Sequence, residues 1–205
     1  MTNGIEFTII NGFNILINGS IFAYFSLKLR RLYERITLYW FLAYFIFFIS
    51  NIISLYHYFT FQNIDQAFSV VRPISLFAVM FLSLSVLEMG LINLKKDILS
   101  MIFGMMGILS LISQIFSLFT YIYRISIIIY SLVAFLGYIF IAIKSRNYPL
   151  LQISLGILIQ AVAGFLSATE IIGVVFAYFI LALGAFFIGF GIILGKYFLE
   201  NNDLD

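Results

Sequence analysis

Apolar residues dominate the chain in seven long stretches that charged residues separate. A helix needs roughly 20 mainly apolar residues to cross the hydrocarbon core of a bilayer, and most of the stretches reach that length. We therefore predict an all-α fold, a polytopic bundle of seven transmembrane helices. The stretches between charged residues are Phe7–Leu27, Ile36–Ile64, Pro73–Leu87, Ile98–Tyr123, Ile125–Ile143, Asn147–Thr169 and Ile171–Gly195.

The predicted helices occupy nearly the whole chain, so we expect one integral-membrane domain over residues 1–205 and no soluble domain. Because the predicted loops are short, consecutive helices should be antiparallel neighbours. The third helix should begin close to Pro73, since proline suits the first turn of a helix. A turn is expected at Glu170. The predicted helices are approximately 7–28, 36–59, 69–91, 98–120, 124–144, 149–168 and 171–197.

Composition agrees with this pattern. The chain is 63% hydrophobic and 10% charged, whereas soluble domains carry about 25% charged residues. It has no cysteine and a single histidine, which argues against disulfides, thiolate metal sites and bis-histidine haem ligation.

Basic residues concentrate in alternate loops. Cytoplasmic loops of membrane proteins carry an excess of lysine and arginine, so this alternation predicts an outside N-terminus, a cytoplasmic C-terminus and location in the plasma membrane. Only Arg72 and Arg124 fall on the other side. The predicted cytoplasmic residues are Lys28, Arg30, Arg31, Arg35, Lys95, Lys96, Lys144, Arg146 and Lys196.

Uncharged polar residues recur on single faces of the predicted helices. In the first helix Asn11, Asn14 and Asn18 share one face. Such a face either forms hydrogen bonds between helices or lines a hydrated path for a ligand or solute. The other stripes are Ser50, Asn51, Ser54 and His57 in the second helix, Ser110, Ser113, Gln114 and Ser117 in the fourth, and Gly156, Gln160, Gly164 and Ser167 in the sixth. The candidate ligand or solute-path residues are Asn14, Asn18, Asn51, Ser54, Gln114 and Gln160.

Two ionisable side chains, Glu88 and His57, are candidate functional groups, because ionisable residues inside membranes usually have a role. The alternative for Glu88 is pairing with Lys95 or Lys96, and the alternative for His57 is an ordinary interfacial position. Trp40 lies near a helix end and is predicted to anchor the helix at the membrane interface.

Small residues form a stripe on the seventh predicted helix, at Ala177, Gly184, Gly191 and Gly195. Small residues in register allow another backbone to approach closely. We predict a helix-packing face there, either within the bundle or between two copies of the chain.

The chain lacks the motifs of common catalytic sites, and clustered carboxylates, paired histidines and cysteines are also missing. We therefore expect no enzymatic activity, no cofactor, no metal site and no nucleic-acid partner.

Two functional hypotheses remain. The first is a sensor-like module or accessory subunit of a membrane complex, which binds partner helices or a small or lipid-like ligand. Its outside N-terminus and cytoplasmic C-terminus resemble the arrangement of seven-helix sensor domains joined to histidine kinases. The second is a transporter or channel for a small neutral solute, with its path along helices one, two, four and six. The expected partners are the lipid bilayer and either another membrane protein or further copies of the chain.

Overall fold

The computed structural model describes residues 2–31, 34–89, 120–168 and 172–202, together with positions 102, 104, 105, 107, 108 and 112. The fold is all-helical, as predicted, and the described residues contain no strand. We call the isolated helical positions between 102 and 112 α4. The continuous helices are α1 (Thr2–Arg31), α2 (Arg35–Phe61), α3 (Ile64–Glu88), α5 (Thr120–Ser145), α6 (Tyr148–Ala168) and α7 (Val174–Asn202).

Five of the described helices are long and apolar enough to cross a membrane, and α3 makes a sixth if its two bent halves form one span. Large apolar side chains lie exposed along the outer faces of these helices, as expected of a surface that meets lipid. The fold is therefore that of a helical membrane protein. Seven spans, with the N-terminus outside, remain a prediction.

The described helices pack as a ring. Each continuous helix contacts the next, α3 contacts α5, and α7 closes the ring against α1. Contacts between Asn11 and Asn51, and between Phe25 and Trp40, show that α1 and α2 are antiparallel. At α4, a Cβ atom on Gly107 would meet Met80 and Tyr130, so Gly107 lies against α3 and α5.

Helix α3 begins earlier than predicted and is bent. Its first residue is Ile64, where the side chain of Asn63 accepts a hydrogen bond from the Gln66 backbone amide at 2.9 Å and caps the helix. Pro73 therefore lies within the helix, and the segments Ile64–Val71 and Ile74–Glu88 meet at 42°. Proline has no N–H to donate and its ring displaces the preceding turn, so it bends a helix that continues through it.

Helices α6 and α7 are separate, as the length of the apolar stretch predicts. Helix α6 ends at Ala168 and α7 begins at Val174. Glu170, the predicted turn residue, lies outside the described residues.

Glycines bring α6 and α7 into close contact. A Cβ atom on Gly156 would lie 2.6 Å from the Gly184 carbonyl oxygen, and one on Gly184 would lie 2.8 Å from the Gly156 carbonyl oxygen. One on Gly191 would lie 2.8 Å from the carbonyl oxygen of Pro149, and Gly195 also faces Pro149. The glycines of the predicted packing face on α7 thus lie against α6 in the same chain, and Ala177 is fully buried.

We predict that Gly156→Ala destabilises the protein by about 1–3 kcal/mol, the usual effect of overpacking. The matched control is Gly12→Ala, where the added Cβ meets nothing within 4 Å and alanine favours the helix. Thermal unfolding in mild detergent measures both variants. Equal stability of Gly156→Ala and Gly12→Ala would contradict the close approach of α6 and α7.

The predicted orientation is testable because the chain has no cysteine. Gln66 and Ser145 are exposed at opposite ends of the bundle. In intact cells, a membrane-impermeant maleimide should label Gln66→Cys, and it should label Ser145→Cys only after permeabilisation. The reverse pattern would show an inverted protein.

Candidate functional site

A cavity of about 90 Å³ lies inside the ring of helices. Residues from α1, α2, α3, α5, α6 and α7 line it, so it belongs to the whole bundle rather than to one helix pair. No charged side chain among the described residues lines it. Its polar lining residues are Asn14, Asn18, Ser50, Asn51, Ser75, Ser131, Gln160 and Tyr178.

The asparagine face of α1 joins this helix to α2 and α7. Asn11 donates from Nδ2 to the Asn51 carbonyl oxygen at 3.2 Å. Asn14 donates from Nδ2 to the Tyr178 carbonyl oxygen at 3.1 Å. All three asparagines are buried, and away from water each amide needs a partner within the protein. The face that the sequence places toward the bundle interior is therefore directly engaged in holding the ring together.

Tyr178 connects α7 to α2. Its hydroxyl lies 2.6 Å from the Ser54 hydroxyl, and both side chains are buried. Because its carbonyl oxygen also accepts from Asn14, one residue of α7 is bonded to both α1 and α2. Tyr178 thus fixes the three helices at the level of the cavity.

Two buried acceptors at the cavity have no hydrogen-bond partner among the described residues. They are Asn18 Oδ1 and Ser50 Oγ, on side chains that are 3% and 4% exposed. Asn18 donates from Nδ2 to the Asn14 carbonyl oxygen at 2.9 Å, which fixes the orientation of its amide. A buried polar atom without a partner costs about 1–3 kcal/mol. A molecule in the cavity that donates hydrogen bonds would remove that cost.

An aromatic cluster lies between the cavity and the end of the bundle where α1 ends. The Trp40 ring lies 5.2 Å from that of Phe25, 5.7 Å from that of Tyr44 and 5.5 Å from that of Tyr138. Leu82 belongs to the same packed core and also lines the cavity. We call Phe25, Trp40, Tyr44 and Tyr138 the aromatic floor.

Trp40 is therefore not an interfacial anchor, contrary to its predicted role. It is only 4% exposed. Its position near the start of α2 suggested the interface, but its ring is buried, stacks on the Phe25 ring of α1 and meets the Tyr138 ring of α5 edge-on.

A second aromatic group closes the cavity toward the end of the bundle where α1 begins. The Tyr178 ring lies 5.1 Å from that of Phe7 and 5.5 Å from that of Phe68, both edge-on. Phe68 and Tyr178 also line the cavity. We call Phe7, Phe68 and Tyr178 the aromatic roof. The cavity thus lies between two aromatic layers.

The structure places most of the predicted ligand or solute-path residues at this cavity. Asn14, Asn18, Asn51 and Gln160 line it, and Gln160 donates to the Leu181 carbonyl oxygen at 3.4 Å. Ser54 bonds to the cavity residue Tyr178. The predicted polar stripe of the fourth helix lies outside the described residues; it consists of Ser110, Ser113, Gln114 and Ser117.

The two predicted ionisable candidates lie elsewhere. Neither His57 nor Glu88 lines the cavity. The His57 ring packs 4.5 Å from that of Phe61. Glu88 lies 3.9 Å from the guanidinium of Arg35 on the preceding helix, α2. Its predicted partners, Lys95 and Lys96, lie outside the described residues.

Sequence reasoning missed Tyr178, Ser75 and Ser131. Serine bonds readily to its own helix, so Ser75 and Ser131 carry little signal in a sequence. Tyr178 was detectable in principle: it lies well inside an apolar span, and a buried tyrosine hydroxyl usually has a partner.

No family model matches the chain, and searches of curated proteins and of solved structures find no match. Any inference about function therefore rests on the helices and the cavity alone. They define the class as a helical membrane protein with a polar cavity inside its ring of helices.

We predict that the Ser54–Tyr178 hydrogen bond stabilises the bundle by about 0.6 kcal/mol, the mean for interhelical bonds in membranes. A double-mutant cycle of Ser54→Ala and Tyr178→Phe, followed by unfolding in detergent, isolates this coupling. The same cycle with Thr60→Ala in place of Ser54→Ala is the control, because Thr60 is exposed and bonds to its own helix. Additive effects in the first cycle would contradict the bond.

Proposed function

We propose that this protein is a multi-pass plasma-membrane protein that binds a small neutral ligand in the central cavity. In this proposal it acts as a sensor-like module or accessory subunit of a membrane complex. The observation that carries the proposal is a pair of buried polar atoms without a partner among the described residues, Asn18 Oδ1 and Ser50 Oγ, on two side chains that line an interior cavity. Native proteins rarely leave such atoms unpaired.

The chemistry of the lining argues for a neutral ligand that donates hydrogen bonds. Asn18 Oδ1 can only accept and the Ser50 hydroxyl can also accept, while the amides of Asn14 and Gln160 already donate to carbonyl oxygens of α7. The described lining has no charged side chain to compensate an ion, and an unpaired ion in a low-dielectric interior is strongly disfavoured.

The size of the cavity argues for a small ligand or head group. A water molecule needs at least about 10–15 Å³ of such space, and an engineered apolar cavity of about 150 Å³ holds benzene. At about 90 Å³, the cavity suits several waters or a molecule with a few heavy atoms.

The aromatic floor and roof favour binding over passage. A solute path along the first, second, fourth and sixth helices, the alternative function, would require both layers to open in turn. A ligand that bonds to Asn18 and Ser50 instead bridges α1 and α2 and stabilises one packing of the ring. A ligand shifts a conformational equilibrium when it binds one state better than the other. In this proposal the resulting change in helix packing alters the exposed apolar faces, which contact a partner helix or a second copy of the chain.

The proposal is tested by thermal unfolding of the purified protein in mild detergent with acetamide, urea or ethylene glycol. We expect at least one of these neutral donors to raise the unfolding temperature of the natural sequence. The increase should be lost in Ser50→Ala and Asn18→Leu. The matched control is Ser20→Ala, because Ser20 is exposed and its hydroxyl bonds to its own helix.

Stabilisation grows with ligand concentration, reaching about 2.7 kcal/mol at 100 times the dissociation constant. Equal stabilisation of the Ser50→Ala and Ser20→Ala variants, or none with any probe, would overturn the proposal. Uptake of the stabilising probe into proteoliposomes, absent from protein-free vesicles, would replace the sensor-like role with transport.

A further inference from the structure

An apolar groove runs between α5 and α6 and meets the central cavity. Its volume is about 220 Å³. Three residues, Ile127, Ser131 and Ala161, line both the groove and the cavity. The two spaces are thus separated by no more than a shared layer of side chains.

The groove faces outward, where the membrane lies. Leu132, Val162 and Phe165 line it, and each is between 44% and 49% exposed. The described part of α4 packs near Tyr130, which lies on the other side of α5 from Ile128 and Leu132. The groove is therefore open to lipid over the part of the chain that the structure describes.

We propose that the ligand is a neutral single-chain amphiphile with a hydroxyl head group, which enters sideways from the bilayer between α5 and α6. The head group lies in the central cavity and donates to Asn18 Oδ1 or Ser50 Oγ. The chain lies in the groove between α5 and α6. This inference rests on the proposed function and names the chemical class of its ligand.

Along the bundle axis the cavity lies between the aromatic floor and the aromatic roof, whereas the side next to the groove includes the small residues Ser131, Ala161 and Gly164 beside Ile127. Gly164 lines the cavity, and a Cβ atom there would meet only Ile127 Cδ1, at 3.7 Å. Ala161 lines the cavity and the groove. Small side chains at this boundary need to move little to let a ligand pass. The ligand therefore enters between α5 and α6, and we call this entry point the portal.

The polarity of the two spaces matches the two parts of an amphiphile. The cavity holds the asparagine and serine acceptors and has room for a head group only. The groove is lined by apolar side chains except at Ser131, which lies at the junction. An ionic head group would bury an unpaired charge, and an alkane without a head group would leave both acceptors unpartnered.

The test uses the full chain in lipid nanodiscs and a decanol that carries a photoreactive diazirine in its chain. After illumination, mass spectrometry maps the crosslinked peptides. We expect crosslinks to concentrate on α5 and α6 and to be displaced by excess unlabelled decanol, but not by decane. Ser50→Ala should reduce them and Ser20→Ala should not.

The portal is tested by filling it. Val162→Trp should lower α5–α6 crosslinking by about tenfold, which corresponds to about 1.4 kcal/mol of binding free energy. The matched control is Leu155→Trp on the same helix. Leu155 is 42% exposed and Val162 is 44% exposed, but Leu155 lies outside the groove.

The outcomes separate this inference from the proposed function. Crosslinks spread evenly over the lipid-facing helices, or unchanged by Val162→Trp, would overturn the amphiphile and its portal. If the short neutral donors still stabilise the protein through Ser50 in that case, the proposed function stands. If neither the short donors nor the diazirine alcohol binds, both are wrong.

Discussion

The fold depends on the need to satisfy polar groups away from water. In lipid, the hydrophobic effect does not drive helices together, so close packing and hydrogen bonds between helices must hold the bundle. The buried amides of Asn11 and Asn14 reach carbonyl oxygens of α2 and α7, and the Ser54 and Tyr178 hydroxyls bond to each other. These bonds close the ring at α1, α2 and α7, while glycine contacts hold α6 against α7.

The same constraint gives the central cavity its chemistry. Most of the polar groups there bond to backbone carbonyls, but Asn18 Oδ1 and Ser50 Oγ have no partner among the described residues. They lie between the aromatic floor and the aromatic roof, whose rings contact one another. The groove beside the cavity is apolar and lined by exposed side chains, and this contrast underlies both the proposed ligand and its route.

Several structural features were readable from the chain because they follow from local pattern. The length of the apolar stretches predicted the helices, and the single long stretch after Asn147 had to contain a break. The spacing of Asn11, Asn14 and Asn18 predicted one inward face. Other features were misjudged for local reasons. Pro73 suggested a helix start, but the Asn63 cap begins α3 earlier, and Trp40 near a helix end suggested the interface although its ring is buried.

The sequence by itself determined the helical class and which residues need polar partners, because both depend on composition and on the period of the α-helix. The tertiary structure alone decided what those partners are. It brought Tyr178 to Ser54 and Asn14 across more than 100 residues. It also left Asn18 Oδ1 and Ser50 Oγ without a partner among the described residues and set the groove beside the cavity. Such contacts join residues that are far apart in the chain, and the local spacing of residues does not specify where two helices meet.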